Sequence, residues 1–201
     1  LLILINQQLI FNSNNMSALY IVIAVLVVLL LWVIGLYNGL IRLRNRTTEA
    51  WSDIDVQLKR RHDLIPNLVN SVKGYMEHEK SLLENITKAR SQAMDAQKGG
   101  NTEQLAKAEN ELGGMLGKLQ IAVEAYPDLK ANQNVAQLMD ELSDTENKIQ
   151  ASRRFYNGQV RDFNIKVETF PNNLIAGMLR FTKFDFFEAD ETEKENVKVE
   201  L

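Results

Sequence analysis

The sequence contains no cysteine among its 201 residues, and it has only 10 glycine and 3 proline residues. The absence of cysteine excludes disulfide bonds, thiol chemistry and Cys-ligated zinc sites. The scarcity of glycine and proline argues against a turn-rich all-β protein. The net charge of −3 is too small to indicate binding to nucleic acid, so we expect no nucleic-acid partner.

One long apolar run lies near the N-terminus. Residues 17–37, SALYIVIAVLVVLLLWVIGLY, carry no charged side chain, and about 20 apolar residues suffice to cross a ~30 Å hydrocarbon core as a helix. A buried core helix is the alternative, but few soluble helices are apolar on every side. The aromatic residues Tyr20, Trp32 and Tyr37 lie toward the ends of the run, where such side chains favour the membrane interface. The run therefore predicts a single transmembrane anchor in a lipid bilayer.

The flanks of this run predict a retained anchor and its orientation. No Lys or Arg precedes it, and it is too long for the apolar region of a cleaved signal peptide. Arg42, Arg44 and Arg46 follow it at once. By the positive-inside rule, we expect the N-terminus outside and the C-terminal part in the cytoplasm. The same arginines are predicted to contact anionic lipid, which attracts each at about 1 kcal/mol.

Residues 1–15, LLILINQQLIFNSNN, precede the anchor and consist almost entirely of Leu, Ile, Asn and Gln. We expect this stretch to be disordered or to lie outside the native protein, with Met16 as the natural start.

Beyond the anchor, apolar residues recur at helical spacing in four segments. The steps are mostly three and four over residues 40–72, 82–93, 105–123 and 135–167. The connections between the segments are short, which predicts antiparallel neighbours. The predicted fold class is therefore all-α, an N-terminal transmembrane helix followed by an antiparallel, up-down four-helix bundle over residues 38–170. Its first and fourth helices are expected to be long.

Local signals mark the breaks between these segments. Gly99 and Gly100 suit a left-handed helix end. Asn101 or Thr102 stands where the next helix needs an N-cap, and Asn132 stands at the start of the fourth segment. The first break is less clear, and we place it near residues 74–78. The alternative is one bent helix from residue 39 to about residue 96.

The C-terminal part has a different composition. Residues 171–187 form a short aromatic-rich segment, and residues 188–201 are predicted to be an acidic, disordered tail. The phenylalanines of the aromatic segment either dock back on the bundle or bind a partner. They are Phe181, Phe184, Phe186 and Phe187.

Three blocks of the sequence together resemble the LemA family of bacterial membrane proteins. They are YNGLIRLRNRTTEAWSDIDVQLKRRHDLIPNLVNSVKGYMEHE, YPDLKAN and ELSDTENKIQASRRFYNGQVRDFN. The resemblance extends from about Tyr37 to Phe187. It implies one N-terminal transmembrane helix and a cytoplasmic antiparallel four-helix bundle. It brings no established enzymatic activity, and one branch of the family is associated with magnetosome membranes.

No motif for chemistry emerges from the polar residues, so we expect no catalytic residue, metal or cofactor. A di-iron bundle needs Glu-x-x-His, but Lys59 stands before His62 and Tyr75 before His78. The stretch LGGMLGKL, residues 112–119, lies within helical periodicity. Its glycines are interpreted as sites of close helix packing.

Two basic clusters remain as candidate partner-docking residues: Lys59, Arg60 and Arg61, and the pair Arg153 and Arg154. In a continuous helix, Arg60 lies about 27 Å beyond Arg42, too far for contact with lipid headgroups. These residues either pair with acids on neighbouring helices or face a partner. Pro66 follows in the same helix and predicts a bend, since it cannot donate a hydrogen bond to the carbonyl of His62.

The sequence thus predicts a non-enzymatic, membrane-anchored scaffold or recruitment protein at the bacterial inner membrane. Its partners would be the lipid bilayer and an unidentified membrane or cytoplasmic protein, and homo-oligomers are compatible with the pattern. An adaptor or regulatory subunit of a membrane enzyme, such as a protease or transporter, is the alternative function. A deep polar pocket inside the bundle would instead favour an enzyme.

Overall fold

The computed structural model describes residues 2–187, with side chains for Met16 and from Leu19 onward. The regular structure in this part of the chain is entirely helical, which confirms the predicted all-α class. The helices are α1 (Leu2–Val72), α2 (Lys80–Gly99), α3 (Thr102–Glu124), α4 (Pro127–Lys130), α5 (Gln133–Glu168) and α6 (Asn172–Met178). The predicted acidic tail, residues 188–201, lies outside the described residues.

Helix α1 runs without a break through the apolar run and into the body of the protein. It already includes residues 2–15, so this stretch is helical here; that it lies outside the native protein stays a prediction. Every residue from 19 to 35 is exposed, and α1 contains the one described segment long and apolar enough to cross a membrane. Helix α1 ends at Val72. The break near residues 74–78 is therefore confirmed, and a single bent helix to about residue 96 is wrong.

Helix α5 packs antiparallel along α1, and these are the two longest helices, as expected. The ring of Trp51 lies 5.1 Å from that of Tyr156, whereas Arg60, further along α1, approaches Asp144, earlier in α5. Helix α2 packs on α3 and on α1.

The buried apolar residues form two clusters along the helix axes. The proximal cluster, nearer the apolar run, includes Ala50, Ile54 and Leu58 of α1. The distal cluster begins at Ile65 of α1 and continues to Met76 beyond the helix end. Apolar burial on α1 is thus interrupted between Leu58 and Ile65, where polar side chains take the inward positions.

The helix ends follow the local signals of the sequence. The Asn101 side chain accepts a hydrogen bond from the Gln104 N–H at 2.9 Å, and Asn132 accepts one from the Asn134 N–H at 3.0 Å. Gly100 adopts the left-handed conformation with φ of 71°. These predicted boundaries are confirmed. They could be predicted from the local sequence because each depends on contacts within one turn.

The glycines of α3 do not serve close helix packing, so that interpretation is wrong. A Cβ atom added at Gly114 or Gly117 would meet nothing within 4 Å. At Gly113 it would meet Arg61 Nη1 at 3.8 Å, an ordinary contact.

The C-terminal segment, residues 181–187, has no regular structure and docks back on the helices. Phe187 is buried against Trp51 with ring centroids 5.9 Å apart, and the ring of Phe184 lies 5.1 Å from Phe163. Phe181 contacts the Tyr37 ring, whereas Phe186 stays exposed. Docking is therefore found for three of the four phenylalanines, and it brings residues 181–187 alongside α1.

Candidate functional site

A buried arginine occupies the gap between the two apolar clusters. Arg61 of α1 is 0% exposed, and its guanidinium forms ion pairs with Glu109 of α3 and Glu146 of α5. Its Nη2 also donates to the backbone carbonyl of Glu109 at 3.2 Å. One side chain therefore links three helices by charge-assisted hydrogen bonds.

The neighbouring His62 extends these contacts to α2. His62 is buried, and its Nε2 donates to the Glu109 carboxylate at 2.8 Å. Its backbone carbonyl accepts a hydrogen bond from Arg90 Nε of α2 at 2.7 Å. We call Arg61, His62, Arg90, Glu109 and Glu146 the ionic layer.

The Glu109 carboxylate is held in its ionised form. Burial raises the pKa of Glu109, but the hydrogen bond from His62 and the charge of Arg61 outweigh it, and the pKa falls below its ordinary value of 4.5. The carboxylate and the guanidinium thus compensate each other in the protein interior. Such an arrangement tolerates two buried charges because each has an opposite partner and hydrogen bonds.

The centre of the ionic layer is closed to solvent. Arg61 and Glu109 have no exposed surface, so a substrate cannot reach them without separating the helices. Glu146 is partly exposed and lines a groove of about 210 Å³ between α3 and α5. Within residues 2–187, no group of three or more His, Asp or Glu side chains is placed to hold a metal ion. The layer suits the fixing of helix register.

The first basic cluster is divided between the surface and the interior. Lys59 is exposed and pairs with Asp63 at 3.7 Å. Arg60 lies 3.9 Å from Glu141 and 3.7 Å from Asp144 on α5. Arg61 is fully buried, so its assignment to a docking surface is wrong, because a partner cannot contact a side chain that the helices enclose.

The second basic cluster is divided in the same way. Arg153 is half-buried, donates to Asn110 Oδ1 at 2.9 Å, and lies 4.5 Å from the centroid of the Phe187 ring. Arg154 is exposed. The five predicted docking residues therefore do not form one continuous surface. Lys59, Arg60 and Arg154 retain exposed side chains.

The three arginines after the apolar run all lie on the surface. Arg42, Arg44 and Arg46 are exposed, and none forms an ion pair within the described part of the chain. Their contact with lipid stays a prediction. Arg44 borders a cavity of about 320 Å³ together with Arg180, so two basic residues that are far apart in the sequence lie beside the end of the apolar run.

Two further polar positions escaped prediction from the sequence. Asn157 binds both the N–H and the C=O of Phe187, at 2.8 and 2.9 Å. Asn164 binds the same two groups of Phe184, at 3.0 and 2.9 Å. One feature of the sequence could have indicated this role. Asn157 and Asn164 are seven residues apart and directly follow the buried Tyr156 and Phe163, which places both amides along one side of α5.

These features define an all-helical protein with one apolar N-terminal helix that indicates single-pass membrane anchoring, and with a sealed ionic centre. The sequence pattern of the LemA family matches residues 50–201, so the chain belongs to the LemA family. Protein LemA of Metamycoplasma hominis is 32% identical over 166 residues, which cover 82% of this chain and 74% of that protein.

Magnetosome proteins are also similar to this chain. Magnetosome protein MamQ 2 of Paramagnetospirillum magneticum is 26% identical over 175 residues, which cover 76% of this chain and 64% of that protein. Magnetosome protein MamQ of Magnetospirillum gryphiswaldense is 24% identical over 174 residues, with 75% and 64% covered. The chain thus spans less than two thirds of each MamQ protein, and neither name describes an enzymatic activity.

Proposed function

We propose that this LemA-family chain is a non-enzymatic scaffold that recruits other proteins at the inner face of the bacterial cytoplasmic membrane. In this proposal the N-terminus lies outside, and α1 from residue 38 onward forms an antiparallel four-helix bundle with α2, α3 and α5 in the cytoplasm.

The observation that carries the proposal is the continuity of α1 from the apolar run to Val72. At ~1.5 Å per residue, residues 39–72 extend about 50 Å from the end of that run. A continuous helix, held along much of this length by α5, presents the far end of the body at a fixed distance from the bilayer. That geometry suits the display of a binding surface, and the buried centre of the ionic layer, Arg61 with Glu109, offers no access for substrate.

A groove at this far end supplies a surface for recruitment. It has a volume of about 640 Å³ and lies between the end of α1 and the start of α2. Apolar Val69, Met76 and Leu83 line it together with charged Lys73 and Glu84. An apolar floor with a charged border is typical of surfaces that bind protein segments.

Site-directed cross-linking in native membranes tests the scaffold. Because the chain has no cysteine, Thr87→Cys at the groove and Ile121→Cys at an exposed site on α3 carry a photo-reactive label as a matched pair. We expect adducts from Thr87→Cys that Ile121→Cys does not form. Self-adducts or several partners support a scaffold, whereas one stoichiometric membrane enzyme favours the adaptor alternative. Robust substrate turnover by the purified full chain, lost on one substitution, would overturn the non-enzymatic function.

Labelling from outside the cell tests the orientation. A membrane-impermeant maleimide is applied to spheroplasts that carry Ser17→Cys or Val56→Cys in the full chain. We expect label on Ser17→Cys in intact spheroplasts and on Val56→Cys only after lysis, because the positive-inside rule places the arginines between them in the cytoplasm. Label on Val56→Cys in intact spheroplasts would overturn the orientation.

A further inference from the structure

The α6 region, residues 170–180, exposes a group of apolar side chains. Phe170, Leu174 and Met178 are spaced four residues apart. Helix α6 buries two other residues, Asn172 and Ala176. The exposed apolar side chains and their exposed fractions are Phe170 (73%), Leu174 (58%), Met178 (80%) and Leu179 (53%). Single exposed apolar residues are ordinary, whereas a contiguous group of them marks a contact surface.

This surface lies beside the end of the apolar run of α1. The ring of Phe181, which directly follows the α6 region, is 6.4 Å from the ring of Tyr37, the last residue of that run. The cavity of about 320 Å³ has Tyr37 and Ile41 on one side and Leu179 on the other. Along α1, residues 19–35 are all exposed, and Leu36 is the first to be partly covered. Helix α6 thus packs against α1, and the exposed Leu179 that follows it shares a cavity with Tyr37 at the end of the run.

The charges nearest this surface are mostly positive, and Glu168, which precedes the α6 region, is paired with Lys183 at 2.7 Å. Residues 169–181 contain one charged residue, Arg180, and residues 38–48 contain three arginines and no acid. Arg180 borders the same cavity as Arg44. Anionic lipid headgroups attract such cations close to the membrane surface.

We propose that the α6 region lies in the interface of the bilayer beside the apolar run, with Phe170, Leu174 and Met178 among the upper parts of the acyl chains. Arg180 and Arg44 then contact lipid phosphates. The proposal rests on the anchoring of the chain by its apolar run. Once that run is inserted, lipid already surrounds the adjoining surface, so lipid rather than a second protein is the occupant. An apolar face of this kind enters the boundary between headgroups and acyl chains to about 5–10 Å.

The consequence is a second attachment to the membrane. The apolar run alone leaves the body free to rotate and tilt about one helix. Contact through the α6 region, at the end of α5, fixes which side of the body faces the bilayer. It would thereby fix the direction in which the groove at the far end is presented.

Spin labelling of the full chain tests this inference. Single cysteines are introduced as Leu174→Cys and Met178→Cys, with Val56→Cys and Ile121→Cys as exposed controls in the body, and each variant is labelled with a nitroxide in liposomes that contain phosphatidylglycerol. Accessibility to a water-soluble nickel chelate and to oxygen is measured by power saturation. We expect several-fold lower nickel accessibility at the α6 sites than at both controls, with oxygen accessibility retained.

Each other outcome overturns a defined part. Nickel accessibility at the α6 sites equal to that at Ile121→Cys overturns the inference while leaving the anchor intact. Protection with strong spin–spin broadening between chains means that a second copy covers the surface, and the lipid contact fails. A chain that does not float with the liposomes overturns the anchoring, and with it the proposed function.

The role of Arg180 has its own control. Its φ of 55° lies in the left-handed region, which asparagine tolerates better than most residues. Arg180→Asn therefore removes the charge without adding backbone strain. We expect it to raise nickel accessibility at Met178→Cys in anionic liposomes and to have no effect in neutral ones. No effect in anionic liposomes would overturn the phosphate contact of Arg180.

Discussion

The Nε atom of Arg90 donates a hydrogen bond to the backbone carbonyl oxygen of His62 over 2.7 Å. This carbonyl lies four residues before Pro66, whose nitrogen carries no hydrogen and cannot donate to it. Arg90 of α2 thus replaces the intrahelical donor that α1 lacks. Pro66 and Arg90 lie on different helices. Because both affect the hydrogen bonding of the His62 carbonyl, the effect of substituting one should depend on the other.

A double-mutant cycle measures this relationship. We expect Arg90→Leu to lower the free energy of unfolding by about 1–3 kcal/mol, because a carbonyl would lose its charged donor. In a Pro66→Ala background the loss should be smaller, since the alanine N–H serves the same carbonyl. Thermal unfolding of the full chain in detergent, followed by circular dichroism, gives the coupling energy, expected at about 0.5 kcal/mol or more.

The control for this cycle is Arg161→Leu, an exposed arginine on α5 whose ion pair is with the adjacent Asp162. Arg161→Leu should lower the free energy of unfolding by the same amount with and without Pro66. If Arg90→Leu also costs the same in both backgrounds, Arg90 does not replace the missing donor. The bend expected at Pro66 is a separate prediction, checked by the distance between spin labels on either side of it.

The sequence predicted the helix ends well and the ionic layer poorly, for one physical reason. An N-cap such as Asn101 is satisfied within its own turn, so the local sequence contains both partners. Arg61 finds its partners 48 and 85 residues further along the chain. A charged residue in a helix is interpreted as exposed until such distant partners are known.

The periodicity did contain a sign of the layer. From Thr47 onward, the buried positions of α1 other than Arg61 and His62 advance by three or four residues except between Leu58 and Ile65, a step of seven. Arg61 and His62 fill that step. In α3, Glu109 is fully buried, next to Ala108, which packs against the distal cluster. Hydrophobicity alone marks Ala108 as inward and misses Glu109, because charge pairing across helices places that carboxylate inside.

The ionic layer predicts a large penalty for removing one charge and a smaller one for removing two. Arg61→Met and Glu109→Leu should each destabilise the protein by about 3–5 kcal/mol, since each leaves a buried charge without its main partner. The double variant should lose less than the sum, because apolar side chains then join the proximal and distal clusters. Unfolding of the full chain in detergent gives all three values.

The matched control for the layer is Glu111→Leu, an exposed glutamate on the same helix, which should change stability by no more than about 0.5 kcal/mol. Losses that simply add in the double variant would show that Arg61 and Glu109 act independently, contrary to their ion pair.

The ionisation of Glu109 predicts a dependence of stability on pH. The pKa of Glu109 lies below 4.5 in the folded protein because the His62 hydrogen bond and the Arg61 charge outweigh the effect of burial. Its ionised form therefore stabilises the fold fully above about pH 4.5, and this contribution is lost as the pH falls through the lower, folded pKa. The difference in melting temperature between wild type and Glu109→Gln should shrink on acidification.

Comparison with Glu111→Gln separates this effect from general acid unfolding, since both variants remove one carboxylate from α3. The Glu111→Gln variant should follow the wild type at every pH. A constant gap between wild type and Glu109→Gln from neutral pH down to about pH 3 would contradict the lowered pKa.

The two asparagines of α5 predict local rather than global control of the C-terminal segment. Asn157→Ala removes both hydrogen bonds to the Phe187 backbone, and Asn164→Ala removes both to Phe184. Each substitution should reduce the free energy with which residues 182–187 dock on α5 by about 1–3 kcal/mol, at ~1 kcal/mol per hydrogen bond. Hydrogen exchange of the full chain in detergent should therefore accelerate at residues 182–187 while α1 and α5 keep their protection, because the helix backbones form their own hydrogen bonds.

Asn147→Ala, at an exposed position of the same helix, is the matched control and should leave exchange of the segment unchanged. Equal exchange in Asn157→Ala and Asn147→Ala would mean that burial of Phe187 alone holds the segment against α1.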